Sequence, residues 1–183
     1  MDKIRSLHLN KTKEFAKNIR INTLNMITSS RSSHIGSCFS VADILAVLFV
    51  NIMKYNCKKI NYQKRDRLIF SKGHAAAIYY SSLAEAGFFQ KKKLKSFCLN
   101  GSDLFGHVTK NKLPGVEVST GSLGHGLSIA CGIAISLKKN NKQNKVFCII
   151  SDGECNEGSI WEAALLAGHH KLNNITVIID YNK

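Results

Sequence analysis

Val146-Phe147-Cys148-Ile149-Ile150-Ser151-Asp152-Gly153 is a short apolar run that breaks on a serine, a carboxylate and a glycine. A second run, Ile175-Thr176-Val177-Ile178-Ile179-Asp180, follows and delivers Asn182 just beyond its end. Between them residues 157 to 170 carry helical periodicity, with Ile160, Trp161, Ala164 and Leu165 read as one apolar face. Strand, helix and strand at this spacing predict a parallel pair with a polar ligand at each strand tip. Asp152 taken singly reads as a helix N-cap and Asn182 as a turn residue. Their joint placement at successive strand ends is more specific. A carboxylate, a side-chain amide and a glycine-opened backbone there can hold a hydrated divalent cation and the phosphates it bridges.

Upstream, the same grammar repeats. Arg65-Asp66-Arg67 leads into a short strand, Leu68-Ile69-Phe70, that ends at Ser71-Lys72-Gly73-His74 before an alanine-rich helix to Ala86, stopped by Gly87. A short helix is expected over 90–98, and a long loop over 99–118 contains the only proline, Pro114. Ser119-Thr120-Gly121-Ser122-Leu123-Gly124-His125-Gly126 then opens a helix running toward Lys139, and its glycines allow close approach of free N–H groups to an anion. At the N-terminal end, residues 3 to 29 place Ile4, Leu7, Phe15, Ile19, Leu24 and Ile27 at helical spacing, as one amphipathic helix or a broken pair. Ser29 to Ser33 reads as a loop, and Ser40 as the cap of a mostly buried helix over 41–52, with Asp43 in its first turn. Alternating strands and helices of these lengths predict an α/β fold: a parallel sheet with helices on both faces, in one domain over residues 1–183.

Composition excludes several classes of function. With 44% hydrophobic residues in 183, the chain reads as one soluble domain, and a mixed-charge N-terminus with no long uncharged apolar stretch supports neither a membrane span nor a secretory signal. A cytoplasmic location is expected. The six cysteines contain no C-x-x-C pair and read as reduced core thiols. The formal charge of +14 comes from 26 basic residues that are mostly lysine and spread along the chain, without arginine forks or interleaved aromatics. That pattern favours anionic, phosphorylated substrates through steering rather than nucleic acid.

His34, His74 and His107 each lie in loops or junctions among small residues, where histidine reaches a pocket more often than a core. None shares metal-ligand spacing with another, so all three are read as hydrogen-bonding and proton-transfer groups. His8, His169 and His170 read as solvated, and His125 is ambiguous. Glu154 and Glu157 suit the helix dipole, with Glu157 a capping-box partner, and neither is required to be catalytic. The Gly121 turn is not a P-loop, since no Gly-Lys-Ser/Thr follows it, nor a dinucleotide fingerprint.

Taken in order, Ser33-His34-Ile35-Gly36-Ser37, Ser71-Lys72-Gly73-His74-Ala75-Ala76, Leu113-Pro114-Gly115-Val116-Glu117, Ser119 to Gly124, Asp152-Gly153-Glu154 and Trp161-Glu162-Ala163-Ala164 resemble the N-terminal, diphosphate-binding half of transketolase. The likeness is strongest to the version made as a separate N-terminal subunit. It implies thiamine diphosphate held through a divalent ion, usually Mg2+, with Asp152 and Asn182 as metal ligands and Gly153 against the diphosphate. It also implies that His74, Gly121, Ser122, Leu123 and Asn182 contact the cofactor, and that His34 and His107 face the sugar as catalytic groups. The implied reaction moves a two-carbon ketol unit from a ketose phosphate to an aldose phosphate.

Three departures from the family pattern stand out. Ser151 replaces the first glycine of Gly-Asp-Gly, and His125 stands where glutamine is common. The sequence ends at Lys183, so relative to the family it is expected to be incomplete at the C-terminal end, without the backbone metal ligand two positions beyond Asn182. The implied partner is a C-terminal transketolase subunit that supplies the glutamate activating the cofactor, in a dimer or heterotetramer. Related readings are a 1-deoxyxylulose-phosphate synthase-like enzyme, with pyruvate as donor, and a non-catalytic remnant or interaction subunit.

Overall fold

β2 (Val146–Ser151) is buried at every position and forms the centre of a three-stranded parallel sheet. Its neighbours are β1 (Arg67–Phe70) and β3 (Ile175–Asp180), in the order β1-β2-β3. The registers run from Arg67 opposite Val146 to Phe70 opposite Ile149, and from Val146 opposite Ile175 to Ser151 opposite Asp180. This computed structural model describes residues 2–59 and 64–182, with side chains from residue 6 onward. Ile4 and Lys183, named above, lie outside the described side chains.

The period of two along the strands splits the core into two layers. Phe147 and Ile149 join Leu68 and Phe70 on the face covered by α1 (Asp2–Ser30), α2 (Ile35–Ser40), α3 (Ala42–Val47) and α4 (Ala76–Glu85). Val146, Cys148 and Ile150 join Ile69 on the face covered by α5 (His125–Lys139) and α6 (Gly158–His169). Helices therefore cover both faces of a parallel sheet, as the alternation of elements predicted. A short 3-10 turn over Lys91–Ser96 stands where a helix was expected over 90–98. Arg65 and Arg67 both pair with Glu117, and Tyr79 Oη donates to Gly115 O at 3.0 Å, which ties the long loop to the foot of β1 and to α4.

Several expectations need correction. α1 is one unbroken helix, the first of the two alternatives, but of its apolar positions Leu7 and Leu24 face solvent, while Phe15, Ile19, Thr23, Met26 and Ile27 are buried. Ser40 is the last residue of α2 rather than a cap, and its hydroxyl donates to Asp180 Oδ2 at 2.6 Å. The chain bends at Val41, which is fully buried, and the region predicted as one helix becomes α2, α3 and a π-helical turn over Leu48–Ile52. On α6 the core face is Ile160 and Ala163, while Trp161 and Leu165 are 59% and 76% exposed. Val177 and Ile179 of β3 are also exposed, so this edge of the sheet carries an apolar surface. Glu157 makes no side-chain cap bond. Cys38, Cys131 and Cys148 are core thiols as expected, whereas Cys98 is exposed.

Candidate active site

The site is assembled from loops at the carboxyl ends of the three strands, where an open parallel sheet normally binds its ligand. β1 ends in Ser71-Lys72 and turns through Gly73–Ala75 into α4, presenting half-buried His74. Gly73 is required by contact. A Cβ there would sit 2.4 Å from Thr120 O and 2.7 Å from Gly121 N, so only glycine lets the His74 turn lie against the Gly121 turn. Val108 N donates to Gly73 O at 3.1 Å and Thr120 N to Val108 O at 2.9 Å, which inserts the His107 loop between them.

That stitching gathers the histidines singled out by their small neighbours. The rings of His34 and His74 lie 5.2 Å apart, and those of His34 and His107 6.4 Å apart. His34 adopts a left-handed conformation, φ 71°, immediately before α2, a backbone state that non-glycine residues hold only when their surroundings impose it. Ser37, in the first turn of α2, shares a hydrogen bond with His74 Nε2 at 2.8 Å. Buried Tyr80 donates to His107 O at 3.0 Å and accepts from Thr109 N at 3.2 Å, fixing the backbone that carries His107. Burial pushes the Tyr80 phenol up to about 12, so it stays a donor. Burial first, then Lys72 and His34, lower the His74 pKa below that of an ordinary histidine; Glu154 pulls the other way, and His107 adds the least of the lowering influences. His34 and His107 are exposed and open to a substrate, while His74 is held.

Asp152 follows the last paired residue of β2, and Asn182 lies two positions beyond its counterpart on β3. Asp152 N donates to Asp180 O at 3.3 Å, so the two strand tips are joined. The Asp152 carboxylate is half-buried and has no hydrogen bond or ion pair among the described residues; the Asn182 amide is exposed. A carboxylate and an amide oxygen are the hard donors that Mg2+ takes, and an ion with several remaining positions for water and phosphate fits two protein ligands. No cluster of three or more His, Cys, Asp or Glu side chains suited to a metal occurs among the described residues. Gly153 is exposed and open above its Cα, and Ser122 and Leu123 are exposed at the mouth of the glycine turn. Gly124, at φ 81°, turns the chain into α5.

Sequence pattern gives no sign of the part played by two residues central to this geometry. Glu154 is fully buried and accepts from Ser71 Oγ, from Gly124 N at 3.1 Å and from Ser151 N at 2.9 Å. Lys72, also fully buried, pairs with Asp180. Ser151 is buried, with its hydroxyl turned toward Glu154 Oε2 at 3.4 Å, so the serine in place of the family glycine points into the protein and away from a ligand. His125, first residue of α5, is exposed and apart from these bonds. A separate cavity of about 570 Å3 lies between α1 and the Lys91–Ser96 turn, and it contains none of the residues named for the site.

Comparison with known proteins bears on the family and the fold. The family described as transketolase, thiamine diphosphate binding domain, matches residues 11–183. Human transketolase is 42% identical over 172 residues, covering 93% of this chain and 27% of that protein. One subunit of the apulose-4-phosphate transketolase of Actinobacillus succinogenes is 43% identical over 155 residues, covering 85% of this chain and 56% of that protein. Among solved structures, transketolase from Campylobacter jejuni superposes with a TM-score of 0.85 at 35% identity, over 93% of this chain and 28% of that one. Transketolase from Leishmania mexicana superposes with a TM-score of 0.85 at 34% identity, over 92% and 27%. The chain thus spans about a quarter of the length of these full transketolases.

Proposed function

The chain belongs to the family of transketolase thiamine diphosphate-binding domains, and on that premise we propose that it is the cofactor-binding subunit of a split transketolase, active with a second polypeptide that supplies the remaining catalytic groups. The observation that carries this reading is the continuity of the site: the His107 loop lies against Gly121, the Gly121 turn against Gly73, and Ser151-Asp152 against Asp180. The loops of His74, His107 and Gly121 are thereby neighbours and the tips of β2 and β3 are joined, which supports the reading. The likeness to a protein named as one subunit of an apulose-4-phosphate transketolase supports a separate partner chain.

In this reading Asp152 and the Asn182 amide hold Mg2+, and Gly153 and the Gly121–Leu123 backbone lie against the diphosphate. Thiamine diphosphate, when bound, supplies the electron sink for carbon–carbon cleavage. His74, kept neutral by its surroundings and oriented by Ser37, binds and orients. His34 and His107 hydrogen-bond the oxygens of a ketose or aldose phosphate and exchange protons with its hydroxyls, a task suited to imidazole near neutral pH. The partner contributes the glutamate that activates the cofactor, and the assembly is a dimer or heterotetramer. The excess of lysine draws phosphorylated sugars toward the site. Six unpaired cysteines suit a reducing, cytoplasmic setting.

The test is transfer by the assembled protein. With the partner, Mg2+, thiamine diphosphate and a ketose phosphate/aldose phosphate pair, two-carbon transfer is expected. Use of pyruvate as donor, with no ketol transfer, would move the assignment to a 1-deoxyxylulose-phosphate synthase-like enzyme. No turnover with either donor by a verified complete assembly would support a non-catalytic role.

A further inference from the structure

Glu154 lies two residues past Asp152 in the 3-10 turn Gly153–Asn156, yet its carboxylate faces inward and is fully buried. Oε1 accepts from the Ser71 hydroxyl at the end of β1 and from the backbone N–H of Gly124, which closes the glycine turn before α5. Oε2 accepts from the backbone N–H of Ser151 at 2.9 Å, at the end of β2, and from the Ser151 hydroxyl at 3.4 Å. No lysine or arginine pairs with it among the described residues. Its charge is met by four donors drawn from three separate segments.

A buried carboxylate is stable only with its lone pairs satisfied, and charge-assisted bonds of this kind are stronger and more directional than neutral ones. The donors are therefore held as firmly as the acceptor. Each donor segment adjoins a different part of the candidate site: Ser71 precedes His74, Gly124 follows Gly121–Leu123, and Ser151 precedes Asp152-Gly153. The packing around this point leaves no slack, because a Cβ on Gly126 would meet Ser71 Oγ at 2.2 Å.

We infer that Glu154 is a positioning residue whose buried carboxylate clamps the ends of β1 and β2 to the glycine turn, and so sets the spacing among His74, Gly121–Leu123 and Asp152-Gly153. It does not touch the ligand. Its effect on cofactor affinity rests on the function proposed above, while its effect on the loops does not. Replacing one oxygen by NH2 in Glu154→Gln must set a donor against Ser71 and Gly124 or against Ser151, so one arm of the clamp opens. Ser71→Ala removes a single donor and keeps the rest, and it serves if the glutamine variant fails to fold.

Amide hydrogen exchange on the unliganded chain tests the clamp itself. Exchange at Gly124 and Ser151 is expected to quicken at least tenfold in Glu154→Gln, and at Gly124 severalfold in Ser71→Ala, with Cys148 in mid-strand unchanged. Exchange unchanged at both sites, or quickened equally at Cys148, overturns the inference. Calorimetric titration of thiamine diphosphate with Mg2+ into the assembled protein tests the consequence. Binding is expected to weaken at least tenfold in Glu154→Gln, but less than twofold in Ile19→Val, a core substitution distant from the site. Equal weakening in both variants would reduce Glu154 to general stability and overturn its positioning role. If the unaltered assembly binds no cofactor, the proposed function fails while the exchange result still decides the clamp.

Discussion

Lys72 and Asp180 form an ion pair buried between the carboxyl ends of β1 and β3, across the full width of the sheet. Asp180 also accepts from Ser40 Oγ at 2.6 Å, and its own carbonyl accepts from Asp152 N at 3.3 Å. One residue thus joins α2, β1 and β3 to the tip of β2, two positions before Asn182. Removing one partner of such a pair strands the other charge in the core. Asp180→Asn is expected to lose about 3–5 kcal/mol of unfolding free energy, read as a lower urea midpoint at unchanged slope. The double variant Lys72→Met/Asp180→Asn should regain much of that loss, and a single variant as stable as the unaltered chain would contradict the pair's structural role.

Gly73→Ala tests the close approach of the His74 and Gly121 turns. The added methyl group meets backbone atoms rather than a side-chain end, so the two turns must separate. A loss of about 1–3 kcal/mol is expected from overpacking of this kind, with weaker cofactor binding. The paired control Gly168→Ala, on α6 with open space around it, should be neutral or stabilising. Equal behaviour of the two variants in thermal unfolding would show that the turns do not pack as described.

Stability should depend on pH through His74. Its pKa is lowered in the fold, so between the folded value and the ordinary value of about 6.5 the unfolded chain binds more protons than the native one. Stability contributed by keeping this histidine neutral is therefore full above about pH 6.5 and declines as pH falls through the window below it. Thermal midpoints measured from pH 7.5 to 5 should fall less steeply in His74→Asn than in the unaltered chain, and parallel curves would refute the assignment.

His34→Ala and His107→Ala separate chemistry from cofactor binding. Each histidine is exposed and without a side-chain hydrogen bond among the described residues, so its removal should leave folding and cofactor affinity near normal. Turnover by the assembly should drop by roughly 10²- to 10⁴-fold if proton transfer is lost. A rise in KM with kcat unchanged would make the residue a binding group only.

The legible parts of this molecule are those written in local pattern. The apolar runs of β1, β2 and β3, the glycine turn before α5 and the small neighbours of three histidines are each contained within about ten residues, the scale at which periodicity and turn chemistry operate. The buried charges are opaque for the opposite reason. Lys72 carries no local sign of burial, and its acceptor Asp180 lies far along the chain; Glu154 reads as a helix-dipole residue until Ser71 and Gly124 are folded against it. Ser40 reads as a cap because the acceptor of its hydroxyl is likewise remote. Trp161 and Leu165 fit a helical stripe, but α6 rests on the sheet side through Ile160 and Ala163.

Thiamine diphosphate binding through Asp152 is the central claim. Isothermal titration of thiamine diphosphate with Mg2+ into the assembly of this chain and its partner should give saturable heat with one site per chain, weakened at least tenfold in Asp152→Asn with the fold intact by circular dichroism. Absence of saturable heat in the unaltered assembly, or identical affinity in the variant, would contradict it.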